Sequence, residues 1–169
     1  MKTTSLEQRL QALEDIEAIK QLKARYLFGC DTRDVELMRN CFATGEVLID
    51  FGFIGQFTDV EAFLKVFVEL ACHPTQFDMH HGVAPEIELT DADTARGRWR
   101  LQFQLLEAEK NVVQLMSSYY EDEYVREATG WRIRRSRSTI MSNLFLAADA
   151  GVLKISQIGS GDGLASGKA

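Results

Sequence analysis

The sequence has little of the material from which metal centres and disulfide frameworks are built. Its 169 residues include only three histidines and three cysteines. The cysteines, Cys30, Cys41 and Cys72, lack the paired spacing of zinc ligands, and an odd number of thiols argues against a disulfide framework. We therefore predict no metal site, and we expect the reducing environment of the cytoplasm.

The sequence also lacks the features that membrane and nucleic-acid partners require. No apolar run approaches the roughly 18 residues of a membrane helix, and residues 1–20 are amphipathic and acidic, without the apolar core of a signal peptide. The net charge of −6 and the pI near 5.1 argue against binding to a phosphate backbone. With 46% hydrophobic and 26% charged residues, the composition is typical of one globular domain.

The spacing of apolar residues predicts three helices in the first half of the chain. Ser5 and Gln8 form a capping-box pattern before the first helix, and Thr58 and Glu61 form another before the third. Gly29 is expected to end the first helix. The predicted helices cover residues 1–28, 34–42 and 60–71, with a short strand at 46–53.

The period of the pattern then changes to two. Between residues 95 and 105, apolar side chains alternate with arginine and glutamine, which predicts a strand with one buried and one wetter face. Further strands are predicted at 112–125 and 131–140. The fold class is therefore α+β, a cone-shaped barrel of three N-terminal helices on a strongly curved, mainly antiparallel sheet, with an internal apolar pocket. Residues 1–153 are expected to form this single domain, and the Gly-rich residues 154–169 a disordered tail.

Four stretches carry a resemblance to a known family. LKARYLFGCDTRDVELMRNCFA, VLIDF, MHHGVAPEIELTDADTARGRWRL and YYEDEYVREATGWRIRRSRS follow one another with characteristic spacing. Over roughly residues 8–141 the chain resembles the SnoaL-like branch of the nuclear transport factor 2-like superfamily, and within it scytalone dehydratase and bile acid 7-alpha-dehydratase most of all.

This resemblance implies a catalytic trio of His80, Asp31 and Tyr26. In those dehydratases an aspartate orients an acid–base histidine, and tyrosines bind the substrate carbonyl. The implied substrate-binding positions are Phe51, Met116, Ser118, Tyr120 and His81. Cys30 and Phe51 stand where scytalone dehydratase has tyrosines, so scytalone itself is not the expected substrate.

The implied activity is that of a cofactor-independent lyase, a dehydratase that removes water from a small, apolar, cyclic or polycyclic hydroxyketone through an enolate. One imidazole can take the carbon-bound proton and return it to the leaving hydroxyl. No metal or organic cofactor is expected. Two alternatives stay open: an isomerase or polyketide cyclase that uses the same pocket, and a non-catalytic small-molecule-binding or scaffold protein.

The adjacent histidines raise a question of direction. Neighbours on a strand point to opposite faces, so His80 and His81 should not both face the pocket. The family register selects His80, whereas simple alternation back from Ile87 selects His81. Gly82 and Pro85 could mark a bulge, so alternation alone does not decide between them.

Other interpretations compete for the remaining residues. Asp31 could instead cap the second helix, and Tyr26 continues the apolar stripe of the first helix. The arginines of residues 132–137 could bind an anionic substrate, but a place on a solvated sheet face or in a subunit contact is favoured. An exposed sheet face and the family relationship together predict a homo-oligomer, with a trimer favoured over a dimer.

Overall fold

The computed structural model describes residues 5–147, so the predicted tail at 154–169 lies outside the described residues. The helices are α1 (Leu6–Thr32), α2 (Val35–Arg39) and α3 (Val60–Ala71). The strands are β1 (Leu48–Asp50), β2 (Gln56–Phe57), β3 (Gln76–Leu89), β4 (Thr94–Glu107), β5 (Val112–Glu127) and β6 (Gly130–Ala147), and a 3₁₀ turn covers Gly52–Ile54.

The six strands form one mixed sheet in the order β2-β1-β6-β5-β4-β3. Every neighbouring pair is antiparallel except β1 and β6, which are parallel. The sheet is curled but not closed, and the three helices pack on it. The predicted α+β class, with helices on a curved and mainly antiparallel sheet, is confirmed.

Helix α1 begins as predicted and ends later than predicted. The Ser5 hydroxyl accepts from the Gln8 backbone N–H, and the Gln8 side chain accepts from the Ser5 N–H, which completes the capping box. The helix continues through Gly29 to Thr32. Gly29 serves a close approach instead, since a Cβ there would lie 2.9 Å from Met38 Cγ in α2.

The buried face of α1 starts only at its third turn. Leu6, Leu10 and Leu13 belong to the predicted apolar stripe but are exposed, because the helix buries side chains only from Asp15 onward. The start of α3 also differs in detail. Asp59, not Thr58, caps it by accepting from two backbone N–H groups.

A β-bulge in β3 answers the question of strand parity. The register with β4 shifts between Val83 and Glu86, and Ala84 adopts a left-handed φ of 51°. The one extra residue puts His80 and Ile87 on the same face of the strand although their numbers differ in parity. His80 faces the helices, whereas His81 lies exposed on the outer face.

The outer face of the sheet is strongly charged and regularly patterned. Two rows of alternating carboxylates and guanidinium groups run across strands β3 to β6. Their members are Glu86, Arg98, Glu121 and Arg137 in one row, and Glu88, Arg96, Glu123 and Arg135 in the other. Several neighbours in a row pair directly, such as Arg98 with Glu86 at 2.5 Å.

Candidate active site

A short contact between helix α1 and strand β3 forms the centre of the candidate site. Asp31 Oδ1 lies 2.6 Å from His80 Nδ1 and accepts the His80 backbone N–H at 3.0 Å. The second carboxylate oxygen of Asp31 lies 3.3 Å from the same backbone nitrogen. One carboxylate therefore fixes both the main chain and the ring of His80.

This geometry determines the tautomer of His80. An ionised carboxylate can only accept hydrogen bonds, so Nδ1 carries the proton that it shares with Asp31. Nε2 of the neutral ring is then unprotonated and can act as a base. The ring also packs against Phe103 of β4, with 4.8 Å between the ring centroids.

Asp31 does not cap helix α2, which was the competing interpretation of this residue. Asp34 caps α2, because its side chain accepts from the Leu37 backbone N–H. Asp31 lies in the last turn of α1, and its side chain points to β3 instead. The side chains of Asp31 and His80 are 22% and 15% exposed, so the dyad is mostly shielded from water.

Tyr26 lies one turn before the dyad in a cluster of buried polar groups. Cys30, which directly precedes Asp31, lies one helical turn after Tyr26 and is buried on the same face of α1. Tyr120 of β5 joins the same cluster. Burial raises the pKa of both phenols well above 10, and the nearby Cys30 side chain raises them further. Both phenols are thus neutral hydrogen-bond donors at physiological pH.

The other predicted substrate-binding residues are not all brought together. Phe51 packs edge-on against Tyr120 at 5.9 Å between centroids, and Met116 pairs with Phe103 across the strands β4 and β5. Ser118 is buried on the same face and accepts a hydrogen bond from a β6 serine hydroxyl at 3.4 Å. His81 lies apart from this group, exposed on the opposite face.

A buried charged network behind the tyrosines was missed from the sequence. Lys23 and Asp122 are fully buried and form a salt bridge of 2.8 Å. Asp122 also accepts from the Tyr124 and Ser136 hydroxyl groups at 2.8 and 2.7 Å. The Lys23 ammonium lies 3.4 Å from the centroid of the Tyr120 ring.

A signal for this network exists in the sequence. Lys23 falls four residues after Ile19 and three before Tyr26, which is a position on the apolar face of α1. Asp122 shares its strand parity with Tyr120 and Tyr124. A lysine on a buried helix face and an aspartate on a buried strand face predict each other as partners.

The described part of the chain contains neither a group of metal-ligating side chains nor a helix that could span a membrane. Between residues 5 and 147, no three His, Cys, Asp or Glu side chains are grouped so that they could hold a metal ion. Over the same range, no helix has the length and apolar character needed to cross a membrane.

A concavity of about 710 Å³ lies beside the charged rows, lined by residues such as Asp50, Arg98 and Glu121, and it does not include the dyad.

Solved structures with the same fold include proteins named for elimination reactions. A candidate scytalone dehydratase from Novosphingobium aromaticivorans is 16% identical, with a TM-score of 0.73, over 79% of this chain and 88% of that chain. A hexachlorocyclohexane dehydrochlorinase, LinA type 3 from Novosphingobium barchaimii, is 20% identical, with a TM-score of 0.73, over 88% of this chain and 99% of that chain. At these identities the likeness shows the fold alone.

A third similar structure bears a different name. A candidate aromatic ring hydroxylase from Novosphingobium aromaticivorans is 19% identical, with a TM-score of 0.70, over 80% of this chain and 94% of that chain. The sequence pattern of the SnoaL-like domain matches residues 11–137, which include α1 from its second turn onward, the whole of β3 and both residues of the dyad. The chain therefore belongs to the SnoaL-like domain family.

Proposed function

We propose that this protein is a cofactor-independent lyase that removes water from a cyclic or polycyclic hydroxyketone. The observation that carries the proposal is the double contact of Asp31 with the ring and backbone of His80. This contact leaves Nε2 as the free base of an oriented imidazole, which is what abstraction of a carbon-bound proton requires.

The reaction needs one group to move a proton twice. His80 Nε2 takes the proton from the carbon next to the carbonyl, and the electron pair of that C–H bond forms the enolate. The enolate then collapses to the enone, the bond to the β-hydroxyl group breaks, and the imidazolium returns its proton to the leaving oxygen as water. Asp31 stabilises the intermediate imidazolium through Nδ1.

The enolate oxygen requires a donor that does not itself lose a proton. Tyr26 and Tyr120 have this property, since burial raises the pKa of each phenol well above 10. A donor of this type contributes most when water is excluded. Phe51, Phe103 and Met116 supply the apolar surroundings that favour a bulky, largely apolar ring system.

The names of the structural neighbours support elimination as the reaction class. A dehydratase and a dehydrochlorinase both remove a proton together with a leaving group on a neighbouring carbon. The two differ in the leaving group, so the neighbours favour elimination in general more strongly than loss of water in particular.

The test is a comparison of two adjacent histidines. Purified wild-type protein, His80→Ala and His81→Ala are incubated with a panel of cyclic β-hydroxyketones, and formation of the enone is followed by its ultraviolet absorbance. A product mass lower by one water separates dehydration from isomerisation. We expect His80→Ala to lower kcat/KM by about 10²–10⁴-fold and His81→Ala, on the outer face, to leave it nearly unchanged.

The histidine pair provides its own control. Both substitutions remove the same side chain from the same strand, and circular dichroism checks that each variant is folded. Equal losses of activity in the two variants, or no loss in either, would contradict the roles assigned here. Activity that survives in Asp31→Asn at wild-type level would contradict the dyad.

We also propose that a second copy of this chain covers the outer face of the sheet. The charged rows across β3 to β6 alternate in sign from strand to strand. If a second copy presents the same row in the reverse direction, or displaced by one strand, each carboxylate faces a guanidinium group of the other copy. The exposed arginines Arg135 and Arg137 then serve subunit contact, since they lie in these rows and not beside the dyad.

A further inference from the structure

Arg33 ends helix α1 in an unusual conformation and joins three elements. It adopts left-handed backbone angles, φ 58° and ψ 29°, at a position where glycine or asparagine is more common. Its guanidinium group donates to the Ala71 carbonyl at 3.0 Å, to the Gln76 carbonyl at 2.5 Å and to Asp78 Oδ1 at 2.8 Å. A fourth bond of 3.3 Å reaches the Asp31 carbonyl.

These contacts hold the two halves of the dyad in register. Asp31 lies two residues before Arg33 at the end of α1, and His80 lies two residues after Asp78 in β3. The guanidinium group thus ties the chain segment that carries the carboxylate to the strand that carries the imidazole. It also fixes the end of α3 through Ala71.

Asp78 presents an electrostatic difficulty for the dyad. Residues two apart on a strand share a face and lie about 6–7 Å apart along it, so Asp78 is a second carboxylate beside His80. Burial raises the pKa of Asp78, and the Arg33 guanidinium opposes that rise. Without a compensating cation, two nearby carboxylates favour the protonated form of an imidazole, which cannot accept a proton.

The ionisable groups that face His80 come from several elements. Helix α1 supplies Asp31, which contacts the ring, strand β3 supplies Asp78, and β4 supplies the apolar Phe103. The Cys30 and Tyr120 side chains lie near Asp31, and Arg33 reaches this group through Asp78. The fully buried cation Lys23 is paired with Asp122, whereas the cation paired with Asp78 is Arg33. Its position against Asp78 makes it the group that can balance the second carboxylate.

We propose that Arg33 and Asp78 form a positioning pair that keeps His80 able to accept a proton, by neutralising the second carboxylate on its side of the strand. The functional meaning of the pair rests on the function proposed above. The electrostatic effect does not, because it concerns the proton equilibrium of one imidazole whether or not a substrate is turned over.

The experiment titrates the ring resonances of the three histidines by NMR in isotope-labelled protein. Arg33→Gly is the main variant, because glycine suits the left-handed backbone and so removes the guanidinium group without straining the helix end. We expect the pKa of His80 to rise by about 0.5–1 unit in Arg33→Gly and to fall by a similar amount in Asp78→Asn. The double variant returns to within about 0.3 unit of wild type.

Two further variants separate charge from general disturbance. Arg33→Lys retains the charge and is expected to keep the His80 pKa close to the wild-type value. Arg39→Gln removes one positive charge from the exposed pair with Glu61 in α2 and α3 and should leave His80 unchanged. A His80 pKa that does not rise in Arg33→Gly, or that is not restored in the double variant, overturns the inference.

The outcome is distinguishable from failure of the proposed function. If the His80 pKa responds as expected but His80→Ala has no effect on any turnover, the lyase proposal fails and the electrostatic pair stands. If His80→Ala abolishes turnover while Arg33→Gly leaves the titration of His80 unmoved, the pair is refuted and the lyase proposal stands.

Discussion

Replacing Lys23 by methionine tests how strongly the buried network stabilises the fold. The ammonium group is fully buried, with a 2.8 Å bond to Asp122 and the Tyr120 ring 3.4 Å away. Burial lowers the pKa of Lys23, and the Asp122 carboxylate opposes that shift. Methionine has a similar length and leaves little empty space, so the variant chiefly removes the charge.

The magnitude follows from what remains around Asp122. Without Lys23 the carboxylate keeps two hydroxyl donors, Tyr124 and Ser136, but no cation. Removal of one partner from a buried ion pair typically costs about 3–5 kcal/mol. With a urea m-value of about 2 kcal/mol per molar, the midpoint of unfolding should fall by about 1.5–2.5 M. Because whole domains are stable by only about 5–15 kcal/mol, the variant should be markedly weakened.

The assay is equilibrium urea unfolding followed by tryptophan fluorescence and circular dichroism. Trp99 reports on the network directly, because its indole N–H donates to the Tyr124 hydroxyl at 3.0 Å. Lys20→Met is the matched control, since Lys20 lies one turn away and forms only an exposed pair of 3.5 Å with Glu17. The control should change stability by less than about 1 kcal/mol.

A double variant tests the cause of the loss. Asp122→Asn added to Lys23→Met removes the uncompensated charge, so the pair of substitutions should unfold at higher urea than Lys23→Met alone. The reasoning is refuted if Lys23→Met costs no more than Lys20→Met. It is equally refuted if the double variant unfolds at lower urea than Lys23→Met alone, as it would if the two substitutions destabilised the fold independently.

Two further predictions concern acid stability and assembly. Burial would raise the pKa of Asp15, but hydrogen bonds from Arg126 and Trp131 outweigh it and hold the pKa below 3.8. Asp15→Asn should therefore lower the free energy of unfolding by about 1–2 kcal/mol at pH 6. As the pH falls below about 4, the melting temperature of the variant should fall less than that of wild type. An equal fall in the melting temperature of both proteins between pH 6 and 3 would contradict this. For assembly, Arg98→Glu with Arg137→Glu makes one outer row wholly acidic, so sedimentation should give a lower mass than for wild type, and an unchanged mass would contradict a subunit contact there.

The periodicity of the sequence predicted the order of the helices and strands but not their exact extents. The predicted strand at 46–53 contains only the three residues of β1, because Gly52 adopts a left-handed φ of 59° and starts a 3₁₀ turn. Strand β3 begins at Gln76, eleven residues before the alternation that predicted it. The bulge shifts the alternation of inward and outward side chains within β3. The pattern around Ile87 therefore could not be extended back to the residues before the bulge.

The contact between Asp31 and His80 could be predicted only through the family resemblance. The two residues are 49 positions apart, and no local pattern relates an aspartate in a helix to a histidine in a strand. The double role of Asp31, which binds both the backbone and the ring of His80, required the structure. The same is true of Arg33, which at sequence level is one more charged residue after a helix.

Helix α1 supplies most of the chemistry, and this explains why its end is so firmly anchored. Lys23, Tyr26 and Cys30 follow each other at spacings of three and four residues on the buried face, and Asp31 comes next. A rotation of this helix would therefore move the phenol and the carboxylate together, away from His80. Lys23 opposes such a rotation from within the core, and Arg33 opposes it from the end of the helix. Lys23 and Arg33 thus both fix the placement of this helix against the sheet, and the dyad depends on both.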